Sequence, residues 1–166
     1  MRIVLCGMMG CGKTTVAHAL SDRLGWEWVD TDEWIVHRHG NISDIFAQKG
    51  EAYFRDLETE AVRALPCGVN TVVSVGGGLV LKAENVRLLK EQGKIVYLEA
   101  EKQTLQRRLE GDTTRPLLAG EALSARLDEL LAARSAIYQE AADVVVCADR
   151  KTPAKIADEI VEKLGL

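Results

Sequence analysis

The chain has 166 residues, 47% apolar and 28% charged, a balance that builds one ordinary domain with a buried core and excludes fibrous and disordered classes. Twenty-one Lys and Arg against 25 Asp and Glu leave a net charge of −4, so no nucleic-acid partner is expected, although a local cationic pocket is compatible with that total. The first apolar run, Met1 to Cys6, is too short for a signal peptide or a membrane span, and Cys6, Cys11, Cys67 and Cys147 stand singly without metal or disulfide spacing. A cytoplasmic protein with no membrane partner is expected.

Short β-branched runs alternate with longer helical patterns, which points to an α/β fold on a mainly parallel sheet. Strands are predicted at Arg2–Cys6, Glu27–Asp30, Asn70–Val75, Lys94–Leu98 and Asp143–Cys147. Directly after the first comes Gly7-Met8-Met9-Gly10-Cys11-Gly12-Lys13-Thr14, which fits G-x-x-x-x-G-K-[ST] and opens a helix over Thr14–Leu24. That context is the one a phosphate-binding loop requires. Glycines let the backbone N–H groups turn inward, the helix N-terminus adds positive potential, and Lys13 reaches the β- and γ-phosphates. Gly10, Cys11, Gly12, Lys13, Thr14 and Thr15 are therefore the phosphate-binding candidates, with the Thr14 hydroxyl placed for Mg²⁺. Cys11 reads either as a modifiable thiol beside Lys13 or as an inert small side chain.

The second strand ends in Asp30-Thr31-Asp32. Along an extended segment the two acids would share a side at the carboxyl edge of the sheet, one serving a metal and the other a substrate proton. An Asp N-cap followed by a solvated acid would give the same spacing. Residues 31–66 hold two or three helical stretches without a strand and read as an insertion over one sheet edge. Within them Arg55 is spaced to pair with Glu51 or Glu58.

The third strand runs into Gly76-Gly77-Gly78 with no acid at its end, unlike the metal-binding strand of motor ATPases and GTPases. Such a run permits close approach of a ligand to the main chain, or is a plain loop. Gly111–Gly120, containing Arg115-Pro116, is a candidate lid whose arginine could neutralise a moving phosphoryl group. In the helical stretch Leu123–Gln139 the apolar stripe is Leu123, Leu127, Leu130, Leu131 and Tyr138, and Arg134 falls inside it. An inward arginine needs an anion, either a protein carboxylate or a ligand. Thr152-Pro153 starts the last helix, Pro153–Leu164. His18, His37 and His39 read as surface residues.

Taken together, the loop at 7–14, Asp30-Thr31-Asp32, Gly50 through Phe54-Arg55, Gly76-Gly77-Gly78, Arg115-Pro116-Leu117-Leu118 and Arg134 through Tyr138 resemble the shikimate kinase family of nucleoside-monophosphate-kinase-like P-loop folds, in family order over almost the whole chain. The resemblance implies a three-layer α/β/α P-loop kinase fold with a five-stranded parallel sheet in the order 2-3-1-4-5. It implies a single kinase domain over 1–166, a substrate-binding segment at 31–60 and a lid at 109–121. The implied reaction is ATP + shikimate → ADP + shikimate 3-phosphate, a step towards chorismate and the aromatic amino acids, by a monomer using Mg²⁺. Asp32 would bind the reacting hydroxyl and accept its proton, Arg55 and Arg134 would hold the carboxylate, and Gly77 and Gly78 would add main-chain contact. Lys13 and Arg115 would stabilise the transferring phosphoryl group, with Thr14 on Mg²⁺ and Asp30 near it. Arg108 corresponds to the adenine-stacking arginine, Arg150 and Lys151 to the adenine-side loop, and Glu58 to a residue that orients Arg55. Thr14-Thr15 stands where the family often has Ser-Thr, and Ala17 where it often has glycine.

Two competing readings remain at this point: a kinase for another small acid, such as a gluconate-like sugar acid, and a nucleotide-binding regulatory protein without catalysis. Retention of Lys13, Thr14, Asp32 and Arg115 opposes the second.

Overall fold

A computed structural model describes residues 1–111 and 120–166. Five parallel strands form one sheet in the order β2-β3-β1-β4-β5: β1 (Arg2–Cys6), β2 (Glu27–Asp30), β3 (Thr71–Ser74), β4 (Gly93–Glu99) and β5 (Val144–Cys147). This is the expected order, with strand ends that differ from the predicted ones by a residue or so. The central strands β1 and β3 are buried along their whole length, whereas β2 and β5 at the edges keep exposed or half-buried positions. Unbroken apolar runs such as Ile3-Val4-Leu5-Cys6 are what a strand covered on both faces demands.

The connecting helices are α1 (Lys13–Leu24), α2 (Thr31–His39), α3 (Ile42–Lys49), α4 (Glu51–Arg63), α5 (Ala83–Lys90), α6 (Lys102–Glu110), α7 (Gly120–Ala141) and α8 (Pro153–Leu164). Helix α8 starts as its sequence dictates: the Thr152 side chain accepts the Lys155 N–H, and Pro153 takes the first turn, where no donor is needed. In α7 the predicted stripe is the packed face, with Leu123, Leu127, Leu130 and Tyr138 buried and Leu131 half-buried.

The main core fills the space between the sheet and its helices. A second, smaller cluster of Ile35, Ile45, Phe54, Leu57 and Ala61 belongs to α2, α3 and α4, the stretch expected as an insertion. Strand register brings the site together. Leu5 and Asp30 both pair with Ser74, so the carboxyl ends of β1, β2 and β3 deliver the glycine-rich loop, the start of α2 and the Gly76–Gly78 run to one edge, where open α/β sheets bind ligands.

Candidate active site

At the end of β1 the chain turns through Gly10 and Gly12 at φ 81° and 95°, a left-handed region that side chains with a Cβ rarely adopt. Gly12 is the N-cap of α1 and supplies no side-chain hydrogen bond, so the first N–H groups of the helix stay directed at the loop. The Lys13 ammonium donates to the carbonyls of Gly7 at 2.9 Å and Met8 at 3.0 Å, which fixes its positive charge over the loop. Gly10, Gly12, Lys13, Thr14 and Thr15 line a cleft of about 1030 Å³ that also takes in Asp30, Asp32, Arg55, Gly77, Gly78, Arg108 and Arg134.

Cys11 is not on that surface. It is fully buried beneath the loop, with its sulfur 3.9 Å from Lys13 Nζ, which favours the inert reading over the modifiable one. Arg108, on α6, reaches back to donate to the carbonyls of Cys11 at 2.8 Å and Gly10 at 3.3 Å. Arg150 and Lys151 do not join these groups. Arg150 is 80% exposed and 3.8 Å from Glu101, and Lys151 donates to Glu159 at 2.6 Å. Asp149 beside them accepts the Glu101 N–H at 3.1 Å, which fastens the turn after β5 to the start of α6. Burial would raise its carboxyl, but hydrogen bonds from Thr104, the Glu101 N–H and Cys147 outweigh that and hold it below the usual range.

The acid pair departs from expectation in one respect. Thr31 already begins α2, so Asp30 and Asp32 do not alternate along an extended strand. Asp30 is the N-cap, accepting the N–H groups of Asp32 at 2.9 Å and Glu33 at 3.1 Å through Oδ1, while its Oδ2 accepts the Thr14 hydroxyl at 3.2 Å. The cap reading and the loop-side reading of Asp30 are therefore both realised, by its two oxygens. Asp32 sits in the first helical turn. The Thr31 hydroxyl accepts the Gly76 N–H at 3.2 Å, which draws the two chain segments together. A methyl on Gly76 would lie 2.8 Å from Asp32 Oδ1 and 3.2 Å from Glu58 Oε2, so any larger residue would displace these carboxyl groups.

Arg55 and Glu58 share one face of α4 and meet at 2.6 Å, with Glu51 at 3.3 Å on the other side of the guanidinium. The pairing expected from spacing is present, and Arg55 still faces the cleft. Glu58 is 1% exposed. Burial raises its carboxyl more than the Arg55 pair lowers it, and Asp32 pushes in the same direction as burial. Its Oε2 has no hydrogen-bond partner among the described residues. A Cβ on Gly78 would meet the Arg55 guanidinium, which would have to shift, so the glycine leaves room for that side chain beside the loop.

Arg134, half-buried on α7, does point inward: Nη1 lies 3.5 Å from where a Cβ on Gly77 would stand. Arg115 and positions 112–119 of the expected lid lie outside the described residues; of the flanking ones, Leu109 and Gly111 line the cleft. His18, His37 and His39 are exposed. Two contributors had gone unassigned, Thr31 and Tyr138. The signal for Tyr138 was available, because a buried phenol must find a hydrogen-bond partner.

With five acidic side chains, four arginines and a lysine among the described residues around one cleft, the arrangement can hold a polyphosphate at one end and a hydroxylated anion at the other. Comparison with known proteins bears on which anion. The family model described as "Shikimate kinase" matches residues 9–165. A shikimate kinase of Symbiobacterium thermophilum is 44% identical over 167 residues, covering 99% of this chain and 96% of that protein. The solved shikimate kinase from Acinetobacter baumannii in complex with shikimate superposes with a TM-score of 0.90 at 34% identity, over 98% of this chain and 92% of that one. A gluconokinase from Sinorhizobium meliloti covers 99% of this chain and 91% of its own with a TM-score of 0.66, but at 19% identity it shares the fold alone.

Proposed function

This chain belongs to the shikimate kinase family and is an ATP-dependent kinase of shikimate, and we propose that it works by neutralising the triphosphate at the Lys13 end of the cleft while Arg55 and Arg134 grip the carboxylate at the other. The observation that carries this division is that Lys13, Thr14, Asp32, Arg55 and Arg134 line one continuous cleft. A substrate with one carboxylate and several hydroxyls needs cations at one end and a base at the other, and that is what the cleft offers.

Asp32 accepts the proton of the 3-hydroxyl as its oxygen bonds to the γ-phosphorus. The bond from that phosphorus to the β,γ-bridging oxygen breaks, and ADP leaves with the electron pair. Lys13 offsets the charge that gathers on the β- and γ-oxygens, and the inward N–H groups of the loop do the same. Arg115 adds to this in the same reading, as part of a lid at 109–121, with residues 31–60 as the substrate-binding segment. Gly77 and Gly78 offer main-chain contact, and Glu58 holds the Arg55 fork in orientation. Arg108, Arg150 and Lys151 serve the adenine side, with Arg108 leaving its loop carbonyls to do so.

Thr14 and Asp30 fit a magnesium ion, since both present hard oxygens within 3.2 Å of each other at the phosphate end. Held there by Thr14 and Asp30, Mg²⁺ would supply charge neutralisation for the triphosphate. A cytoplasmic monomer acting on a small molecule, without nucleic acid or membrane, completes the reading.

The test is a coupled ADP-release assay across shikimate, gluconate and related acids, with product identified by mass. Shikimate 3-phosphate formed faster than any other product is the expected result, and preference for gluconate overturns it. In the same assay Asp32→Asn should keep ATP affinity yet lose roughly 10²–10⁴-fold in kcat, because an amide cannot take the proton. Near-normal turnover would remove Asp32 from that role.

A further inference from the structure

Tyr138 is used by none of the roles above, yet it is completely buried and its hydroxyl reaches the acceptor end of the cleft. We propose that Tyr138 is a positioning residue that sets affinity for the acid by fixing Gly77 and Arg134 relative to each other. This rests on the reading that Arg134 grips the substrate carboxylate.

The phenol donates to the Gly77 carbonyl at 2.5 Å, and the Arg134 guanidinium stands beside it as a neighbouring positive charge. A methyl at Gly77 would stand 3.5 Å from Arg134 Nη1 and 3.7 Å from the Tyr138 hydroxyl, which puts the loop, the cation and the phenol in one small volume. Met8 of the phosphate loop approaches from the far side, its sulfur 3.9 Å from the same hydroxyl. Burial, partly opposed by Arg134, pushes the phenol up to about 12, so it remains a donor at any pH where the enzyme works.

The Gly76–Leu79 stretch is pinned at three points from three helices. Thr31 takes the Gly76 N–H at 3.2 Å, Tyr138 holds the Gly77 carbonyl, and the Asn85 amide donates to the Leu79 carbonyl at 2.9 Å. Of these three pins, Tyr138 is the one that also stands beside a cleft cation. Removing its hydroxyl leaves the Gly77 carbonyl without that donor and loosens the small volume that the Gly77 loop shares with the Arg134 guanidinium, so more ordering must be met when the acid binds.

Tyr97 on β4 provides the internal control. Its ring packs 5.1 Å from that of Tyr138 and it is also buried, but it makes no hydrogen bond to Gly77 among the described residues. Steady-state kinetics with both substrates varied should therefore be measured for the wild type, Tyr138→Phe, Tyr97→Phe, Arg134→Ala and the Tyr138→Phe/Arg134→Ala double variant. Tyr138→Phe should raise KM for shikimate roughly 5–20-fold with KM for ATP and kcat within about twofold of wild type. Tyr97→Phe should leave the acid KM within about twofold, and the double variant should lose no more than about threefold beyond Arg134→Ala alone. An unchanged acid KM in Tyr138→Phe, an equal rise in both KM values, the same rise in Tyr97→Phe, or failure of Tyr138→Phe to fold while Tyr97→Phe folds would each overturn the proposal. A wild type that does not phosphorylate shikimate, or an Arg134→Ala variant with normal acid KM, would instead overturn the reading beneath it.

Discussion

Around Lys13, most of the groups that line the cleft come from one stretch of chain between Met9 and Thr15, joined by Asp30 and Arg108, and much of what the stretch presents is main chain. The acid end draws Asp32, Arg55, Glu58 and Arg134 from α2, α4 and α7, and borrows Gly76–Gly78 from the loop after β3. The first is shaped by glycine conformation and a helix terminus, which need no long-range partner. The second depends on charged side chains that hold one another in place, and burial there is severe enough to raise the Glu58 carboxyl despite its arginine. The comparison teaches that the two ends should fail differently when cut.

The largest effect should come from cutting the phosphate end. Lys13→Met should lower kcat roughly 10²–10³-fold, as loss of a donor aimed at developing charge does, with the acid's KM little changed; a rise confined to the acid's KM would erase the distinction between the ends. Arg134→Ala is the complementary cut. It should raise KM for shikimate about 10–150-fold and leave ATP affinity near normal, both read by steady-state kinetics. Equal weakening of both ligands would mark Arg134 as a structural residue.

A smaller effect sharpens the comparison at the turn after β5. Asp149 has a folded carboxyl held below its usual 3.8. A lowered acid contributes stability that is fully present above the unfolded value and is lost as pH falls through the folded one. Asp149→Asn should therefore lower Tm by a few degrees at pH 7, and the gap to wild type should narrow as the pH drops below 3.8. A gap that stays constant from neutral to acid pH, measured by thermal melts, would mean that the ionised carboxylate is not the stabilising form.

Legibility in the sequence followed the same divide. The loop at 7–14 could be read outright, because a strand, glycines, Lys-Thr and a helix must follow one another for the physics to work. The strand order came with the family resemblance rather than with periodicity, which says where strands are and not which are neighbours. Asp30 and Asp32 are found by spacing, which allows an extended pair or an N-cap with an acid in the first turn; the structure takes the N-cap geometry, with the helix starting at Thr31. Arg134 showed itself as a cation inside an apolar stripe, and Arg55 with Glu58 as a helical i,i+3 pair. What they face could not be read from the chain, since the contact of Tyr138 with Gly77 spans 61 residues.

The separate apolar cluster of Ile35, Ile45, Phe54, Leu57 and Ala61 makes the acceptor side a cassette. The cluster is contributed by α2, α3 and α4 themselves, with Val62 and the Thr59–Asn85 hydrogen bond tying α4 to the rest, so residues 31–63 are the part of the acceptor side most open to exchange without rebuilding the sheet. Transplanting the matching stretch from a kinase of another small acid should shift acceptor preference and leave KM for ATP within about threefold; a chimera that loses ATP binding as well would show that the cassette is not detachable.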